Sequence, residues 1–268
     1  MDFSSEGPLR TSPFDQLAGD YDRGFTRSAC GATLRAMVWE RLPAVFGTPR
    51  HILELGCGTG EDAIRLARTG HRVFAIDVSP EMIRIARLKA IAAGLAELIE
   101  FQVMPIESLH TLPQELHFDG VFSNFGAINC VADVPRLAVT LAARLTARAP
   151  LMFIAMGRRV PWEWAWYLVQ GDRQRAFRRL RKGGTEWRGL DIHYPTPREL
   201  ARSLAPRFET RRCASLGFAL PPSYAAAWLD DAPRTLATLT VIERATSRFT
   251  AGLADHFMLE AALAAPES

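Results

Sequence analysis

Cysteine is scarce in this chain. Cys30, Cys57, Cys130 and Cys213 are the four in 268 residues, and none belongs to a C-x-x-C pair or stands near a histidine at metal-ligand spacing. A disulfide framework and a zinc site are therefore not indicated, and no metal is expected. Lysine is scarcer still, with Lys89 and Lys182 against 30 arginines, a skew typical of genome composition rather than of function. The net charge of +3 is small for the length and implies no polyelectrolyte partner for the chain as a whole. Long apolar runs are missing too: "APLMFIAM" at 149–156 is the longest, far short of a bilayer span. The opening "MDFSSEGPLR" lacks the basic and apolar regions of a secretion signal. A soluble, cytoplasmic protein is the expectation. There are no internal repeats and no low-complexity segment.

What is present is an alternation. "HILEL" (51–55), "RVFAIDV" (72–78), "IEFQV" (99–103), "DGVFSNF" (119–125) and "APLMFIAM" (149–156) are compact apolar runs. They are too continuously apolar for a sheet with one wet face, so they are expected as buried strands. Helix-like segments separate them. The one at "SPEMIRIARLKAIAAG" has Ser79 as N-cap, Pro80 at the first helical position and Gly94 for its C-terminus. The pattern predicts an α/β fold with a doubly wound, mostly parallel sheet. Residues 1–48 are expected as an N-terminal helical lid and 49–156 as the ligand-binding core. A Trp/Arg-rich helical insertion is expected over 157–194, and completion of the sheet over 195–268, with a second helical insertion at about 221–254. Both insertions are expected on the carboxyl edge of the sheet.

That edge carries "ELGCGTG", with Gly56, Gly58 and Gly60 between a strand and a helix. Glycine there permits positive φ and close approach of a ligand to the backbone, and the helix presents free N–H groups to the same spot. A plain turn would need one glycine, not three. Neither the G-x-G-x-x-G of dinucleotide folds nor a P-loop is spelled here. Glu54 stands beside the loop, where it repels a pyrophosphate but suits an ammonium group. Asp77, ending the next strand, is placed to accept bonds from both hydroxyls of a ribose. Ribose plus a cationic amino acid, without phosphates, describes S-adenosylmethionine.

Together, "ILELGCGTG", "FAIDVSPEMI" and "FDGVFSNFGAIN" resemble the consecutive motifs of class I S-adenosylmethionine-dependent methyltransferases, and "FDQLAGDYDRGF" (14–25) resembles the helix that covers the cofactor in many small-molecule members. The resemblance implies a seven-stranded Rossmann-like sheet in the order 3-2-1-4-5-7-6, last strand antiparallel, with "RFETRRCA" (207–214) and "DHFMLEAAL" (255–263) as its last two strands. It implies S-adenosyl-L-methionine as methyl donor and S-adenosyl-L-homocysteine as product. By the same resemblance Glu54 and the loop of Gly56, Cys57, Gly58 and Gly60 face the methionyl part, and Asp77 the ribose. Val78 and Met82 wall the adenosine, and Asn124 and Phe125 lie near the sulfonium. One string departs from the family. In "MPIESL", Pro105 stands where an acid usually bonds the adenine amino group, leaving Ile106 to pack on the ring and Glu107 to accept from it.

The acceptor is less legible. "SNFGAIN" is not the Asn/Asp-Pro-Pro-Tyr string of amino-methyltransferases, which argues against DNA, and no carboxylate cluster supports metal-dependent catechol methylation. Candidates for base or acceptor positioning are Tyr21, His193 and Tyr194, with His110 in a polar loop expected to be solvated. Segment 158–188 holds nine basic residues against Glu163, Asp172 and Glu186, beside "PWEWAWYL". It suits inward packing of its tryptophans, an anionic or aromatic substrate, or an anionic membrane surface. Its aromatic and basic residues are blocked rather than interleaved, which disfavours nucleic acid. The expected function is methyl transfer to a small apolar or aromatic molecule. The alternatives are a membrane-peripheral enzyme with a lipid or quinone-like acceptor, a non-catalytic cofactor-binding scaffold, and, more distantly, a dinucleotide oxidoreductase. Oligomeric state is not indicated.

Overall fold

A computed structural model describes residues 12–21, 26 and 28–265. The strands are β1 (His51–Leu55), β2 (Arg72–Asp77), β3 (Ile99–Val103), β4 (Gly120–Ser123), β5 (Pro150–Met156), β6 (Thr185–Trp187), β7 (Leu190–Ile192), β8 (Phe208–Leu216) and β9 (His256–Leu263). Seven of them make one sheet in the order β3-β2-β1-β4-β5-β9-β8, and β6 and β7 form a separate hairpin. Strands β1 to β5 run parallel, whereas β9 is antiparallel to both neighbours. Each of the seven sheet strands coincides to within about two residues with an expected segment, five of them with the apolar runs and β8 and β9 with the two segments the resemblance implied.

The helices are α1 (Asp15–Tyr21), α2 (Ala29–Phe46), α3 (Glu61–Arg68), α4 (Pro80–Ala92), α5 (Val134–Ala142), α6 (Pro161–Val169), α7 (Arg173–Ala176), α8 (Pro197–Leu204) and α9 (Pro233–Thr246). Helices α2, α3, α4 and α9 cover one face of the sheet, and α5 and α8 the other. Strand alternation divides the core accordingly: Ile52 joins the α2/α3 side, Leu53 and Leu55 the opposite side. The same period of two directs Glu54 toward α2 and α3. Ser79 caps α4, its side chain accepting the Met82 N–H at 3.1 Å. Thr196 and Glu199 form a reciprocal capping box on α8. Helix α1 is fastened to the start of α4 by Ser79 Oγ, which donates to Asp15 Oδ1 at 2.5 Å.

The insertion over 157–194 differs from the all-helical expectation. Helices α6 and α7 are there, but its last part is the β6–β7 hairpin. Arg188 (φ +50°) and Gly189 (φ +82°) both take the left-handed conformation that a two-residue hairpin turn requires. A buried charge cluster ties the insertion down. Glu163, on α6, accepts from Arg178 and Arg179 and from the Tyr224 hydroxyl, and Arg179 also pairs with Asp255 at 2.7 Å. Of the tryptophans of "WEWAW", two pack inward, Trp162 with its Nε1 donating to the Phe218 carbonyl and Trp164 against Phe177, whereas Trp166 faces outward. The second insertion packs α9 against α2 and β8. Its buried Glu243 accepts three main-chain N–H groups, from Gly217, Ala219 and Leu220, and the Ser215 hydroxyl.

Candidate active site

The glycine loop is held from both ends. The N–H groups of Gly56 and Cys57 donate to the Ile76 carbonyl at 2.8 and 3.0 Å, pinning the loop to β2. Gly56 (φ +69°) has no room for a side chain, since a Cβ would lie 2.2 Å from that of Ala127. Gly58 (φ +52°) is different: the space above it is open, and its N–H donates to Asp77 Oδ2 at 2.8 Å. Gly60 answers to packing, because a Cβ there would collide with Ala86 of α4 at 2.8 Å. Cys57 is buried, and burial, together with Asp77 nearby, pushes its thiol up out of the reactive range.

Asp77 accepts a second main-chain bond at Oδ1, from Ser79 at 2.9 Å. Burial raises its pKa, and the Ser79 and Gly58 N–H groups pull the other way without cancelling the rise. Glu54 is buried, and its Oε2 has no hydrogen-bond partner. Burial, reinforced by Asp62, pushes its carboxyl well above the usual range. Asp62 is the hub next to it. It accepts from Arg35 at 2.5 Å, from Trp39 Nε1 at 2.6 Å and from Asn124 Nδ2 at 3.0 Å, joining α2, α3 and the end of β4. Phe125 follows Asn124 at φ +45°, a strained conformation for a bulky residue. The Arg35 guanidinium lies 4.9 Å from its ring centroid, and the His256 ring meets it edge-on at 5.4 Å.

These elements border a cavity of about 620 Å³. Of the residues singled out in the sequence, Gly56, Gly58, Asp77, Val78, Met82, Pro105, Ile106, Glu107, Asn124, Phe125 and Tyr194 line it. Glu54, Cys57 and Gly60 lie behind the wall, and His193 lines a neighbouring cavity instead. His110 is exposed, its Nδ1 near the Glu107 carbonyl. The Tyr21 side chain falls outside the described residues. The opposite wall comes largely from the first insertion, expected on this edge of the sheet, and from Phe14 of the segment expected to cover the ligand. It consists of Phe14, Cys130, Val131, Met156 and Arg178 with Thr185, Glu186, Trp187, Leu190 and Ile192 of the hairpin. Phe14 and Trp187 meet across the top at 5.4 Å between ring centroids, and Arg188 donates to Gln16. Asn129 locks the far end, its side chain bonding both N–H and C=O of Met156 and the C=O of His193. No residue of the second insertion reaches this cavity.

A family profile described as a methyltransferase domain matches residues 52–148. Over 172 residues the chain is 30% identical to the ubiquinone biosynthesis O-methyltransferase of Xanthomonas oryzae pv. oryzae, covering 63% of this chain and 70% of that protein. The chain belongs to the class I S-adenosylmethionine-dependent methyltransferases. The corresponding protein of Methylocella silvestris is 34% identical over 171 residues, and the alignment spans 62% of each protein. A tRNA 5-carboxymethoxyuridine methyltransferase of Escherichia coli is 32% identical over 92 residues, which is 33% of this chain and 35% of the relative. Among solved structures, the [4+2]-cyclase SpnF superposes with a TM-score of 0.62 at 18% identity, over 94% of both chains. The DhpI complex with SAH superposes at 0.56 and 18% identity, over 95% of this chain and 94% of that one. Identity so low shows a shared fold, and a fold that includes a cyclase does not by itself name a reaction.

Proposed function

We propose that this methyltransferase binds S-adenosylmethionine at the glycine loop and transfers its methyl group to a small, largely apolar or aromatic acceptor held against the hairpin. The observation that carries the reading is the division of the cavity: one side is built from the motif residues, the other from Phe14, Val131, Met156, Trp187, Leu190 and Ile192. The chemistry of the first side fits the donor. The unpartnered oxygen of Glu54, just behind the wall, favours an ammonium group beside the loop by its charge, and the open face of Gly58 leaves room for the methionyl chain. Asp77 keeps lone pairs free for the ribose hydroxyls. Val78, Met82, Pro105 and Ile106 offer apolar walls to adenine, and Glu107 an acceptor for its amino group. Asp77, Glu107 and Glu186 outnumber Arg178 on the lining, which favours a cationic ligand.

The cofactor supplies an electrophilic methyl on a sulfonium, which leaves as the neutral thioether when an acceptor lone pair attacks in line. The protein aligns the two, and alignment alone can supply roughly 7–11 kcal/mol of the barrier. Asn124 and Phe125, rigidly held through Asp62, Arg35 and His256, form the wall between the two halves. An oxygen acceptor also needs to lose its proton. Glu186, on the acceptor side, is the carboxylate able to receive it, and Tyr194 can position the acceptor by a hydrogen bond. The test is transfer of labelled methyl from S-adenosylmethionine to a panel of phenols, hydroxyquinones, aliphatic amines and bulk tRNA. Label in the aromatic hydroxyl compounds is expected; label in tRNA alone would contradict the reading.

A second reading has its own observation. On α6, Trp166, Leu168 and Val169 are exposed, Val169 to 89%, beside exposed Arg173 and Arg175. An apolar and basic face suits an anionic lipid surface, and the names of the ubiquinone-biosynthesis relatives agree with a lipid-soluble acceptor. Arg179 has no part in such a contact, being buried between Glu163 and Asp255. Co-sedimentation with phosphatidylglycerol vesicles that Val169→Glu and Arg175→Glu abolish would support this reading, and no sedimentation by the parent would sink it.

A further inference from the structure

A second cavity, about 480 Å³, shares Val131 and Tyr194 with the first but has a different chemistry. Arg158, Arg181, Lys182 and His193 line it, and the one acid among them is Glu199. That acid is already engaged, pairing with Arg158 at 2.9 Å and accepting the Thr196 N–H at 2.7 Å. The side chains of Arg181 and Lys182 have no hydrogen-bond or ion-pair partner among the described residues. Adjacent cations converging on one concavity repel each other until an anion joins them. Consecutive Gly183 and Gly184, at φ +85° and +90°, turn the chain back at this point. Gly184 is pressed on the hairpin, where a Cβ would lie 2.1 Å from the Ile192 carbonyl oxygen. The two basic residues therefore sit on a braced turn, not a loose tail. His193 is fixed in the wall by main-chain bonds in both directions to Asn129, and its Nε2 is left without a hydrogen-bond partner.

We propose that this cavity is an oxyanion subsite for a phosphate or diphosphate group, and that the group is the polar end of the acceptor whose reactive end occupies the first cavity. A carboxylate is satisfied by one guanidinium fork. Two unpartnered cationic side chains, Arg181 and Lys182, beside the neutralised Arg158–Glu199 pair and the open Nε2 of His193, suit a multiply charged group instead. Tyr194, common to both walls, stands where the apolar body of such an acceptor passes from one cavity to the other. The acceptor assignment rests on the methyltransferase reading of the first cavity; the anion site itself does not.

The test is calorimetric titration of the full chain with inorganic pyrophosphate, with and without S-adenosylhomocysteine, and with acetate as control. Saturable pyrophosphate binding is expected without matching acetate binding. The Arg181→Glu/Lys182→Glu variant, altered only at exposed side chains, should bind pyrophosphate at least tenfold more weakly while keeping the parent's affinity for S-adenosylhomocysteine. Absence of saturable binding by the parent, or undiminished binding by the variant, would overturn the subsite. Because the S-adenosylhomocysteine arm is read separately, a failure of the cofactor site is distinguishable from a failure of the anion site.

Discussion

The main-chain N–H of Gly58 donates to the carboxylate of Asp77 at 2.8 Å, so the middle glycine of the loop and the acid ending β2 form one rigid unit. That bond fixes the loop before any ligand arrives and orients the carboxylate whose remaining lone pairs face the cavity. Preorganisation of this kind reduces the ordering cost of binding.

The three loop glycines separate by substitution. Gly58→Ala meets open space in the free protein and pays only for a left-handed alanine, roughly 1–2 kcal/mol. It is expected to fold and to lose cofactor affinity by tenfold or more, because its methyl occupies the ligand's approach. Gly56→Ala must displace Ala127, so its loss appears in thermal stability, as does that of Gly60→Ala against Ala86. Melting temperature and cofactor affinity, measured on all three, check this division.

Asp77 gives cofactor binding an acid limb. Two ribose hydroxyls donate only to an ionised carboxylate, and its pKa in the free protein is raised by burial. Affinity for S-adenosylhomocysteine should fall as pH drops through that raised value, beginning at higher pH than an ordinary aspartate would give. Asp77→Asn should bind about ten- to a hundredfold more weakly, the worth of one charge-assisted hydrogen bond or so, with that limb flattened. Affinity measured against pH for parent and variant is the check.

Glu54 predicts proton release. Its carboxyl is pushed well above the ordinary range, and an incoming ammonium group stabilises the ionised form. At pH near 6, where an α-amino group is already protonated, binding should therefore release protons, seen as a dependence of binding enthalpy on the ionisation enthalpy of the buffer. Glu54→Gln should remove that release and weaken binding.

The buried cluster beneath the insertion predicts a stability profile. Burial alone would raise the Asp255 pKa, but His256 and Arg179 outweigh it and hold the carboxyl well below the usual range. A depressed acid contributes stability that is present above its unfolded pKa, near 4, and is lost as pH falls through the folded value. Asp255→Ala leaves Arg179 buried with one carboxylate fewer and should cost about 3–5 kcal/mol near neutral pH. The gap between parent and variant in urea denaturation should persist to about pH 4 and close only below it.

Legibility in the sequence followed the range of the forces involved. Whereas the charged, half-exposed β8 was placed in the sheet only through the family resemblance, the five parallel strands were readable because burial on both faces leaves continuous apolar runs, and α4 because Ser79 caps it locally. The motif side of the cavity was readable for the same reason: each residue sits at a strand end fixed by its own neighbours. The hairpin carried a local signal that went unused. Arg188-Gly189 lies between "TEW" and "LDI", two triplets that alternate inward and outward. Inward packing, one of the readings open for the tryptophans of α6, holds for Trp162 and Trp164, but the partner of the Trp162 indole, the Phe218 carbonyl, lies too far along the chain to be read locally. The acceptor wall draws on Phe14, Val131, Met156, Arg178 and the hairpin, segments far apart in the chain whose meeting depends on Asn129 and Glu163. No short window of sequence contains that convergence.

Calorimetric titration of the purified chain with S-adenosylhomocysteine, with NADH as control, tests the central claim most directly. One site per chain with a Kd in the micromolar range, lost in Gly58→Ala and without heat from NADH, is the predicted result. A parent that shows no binding of S-adenosylhomocysteine at millimolar concentration would contradict the assignment of the glycine loop, Glu54 and Asp77 as a cofactor site.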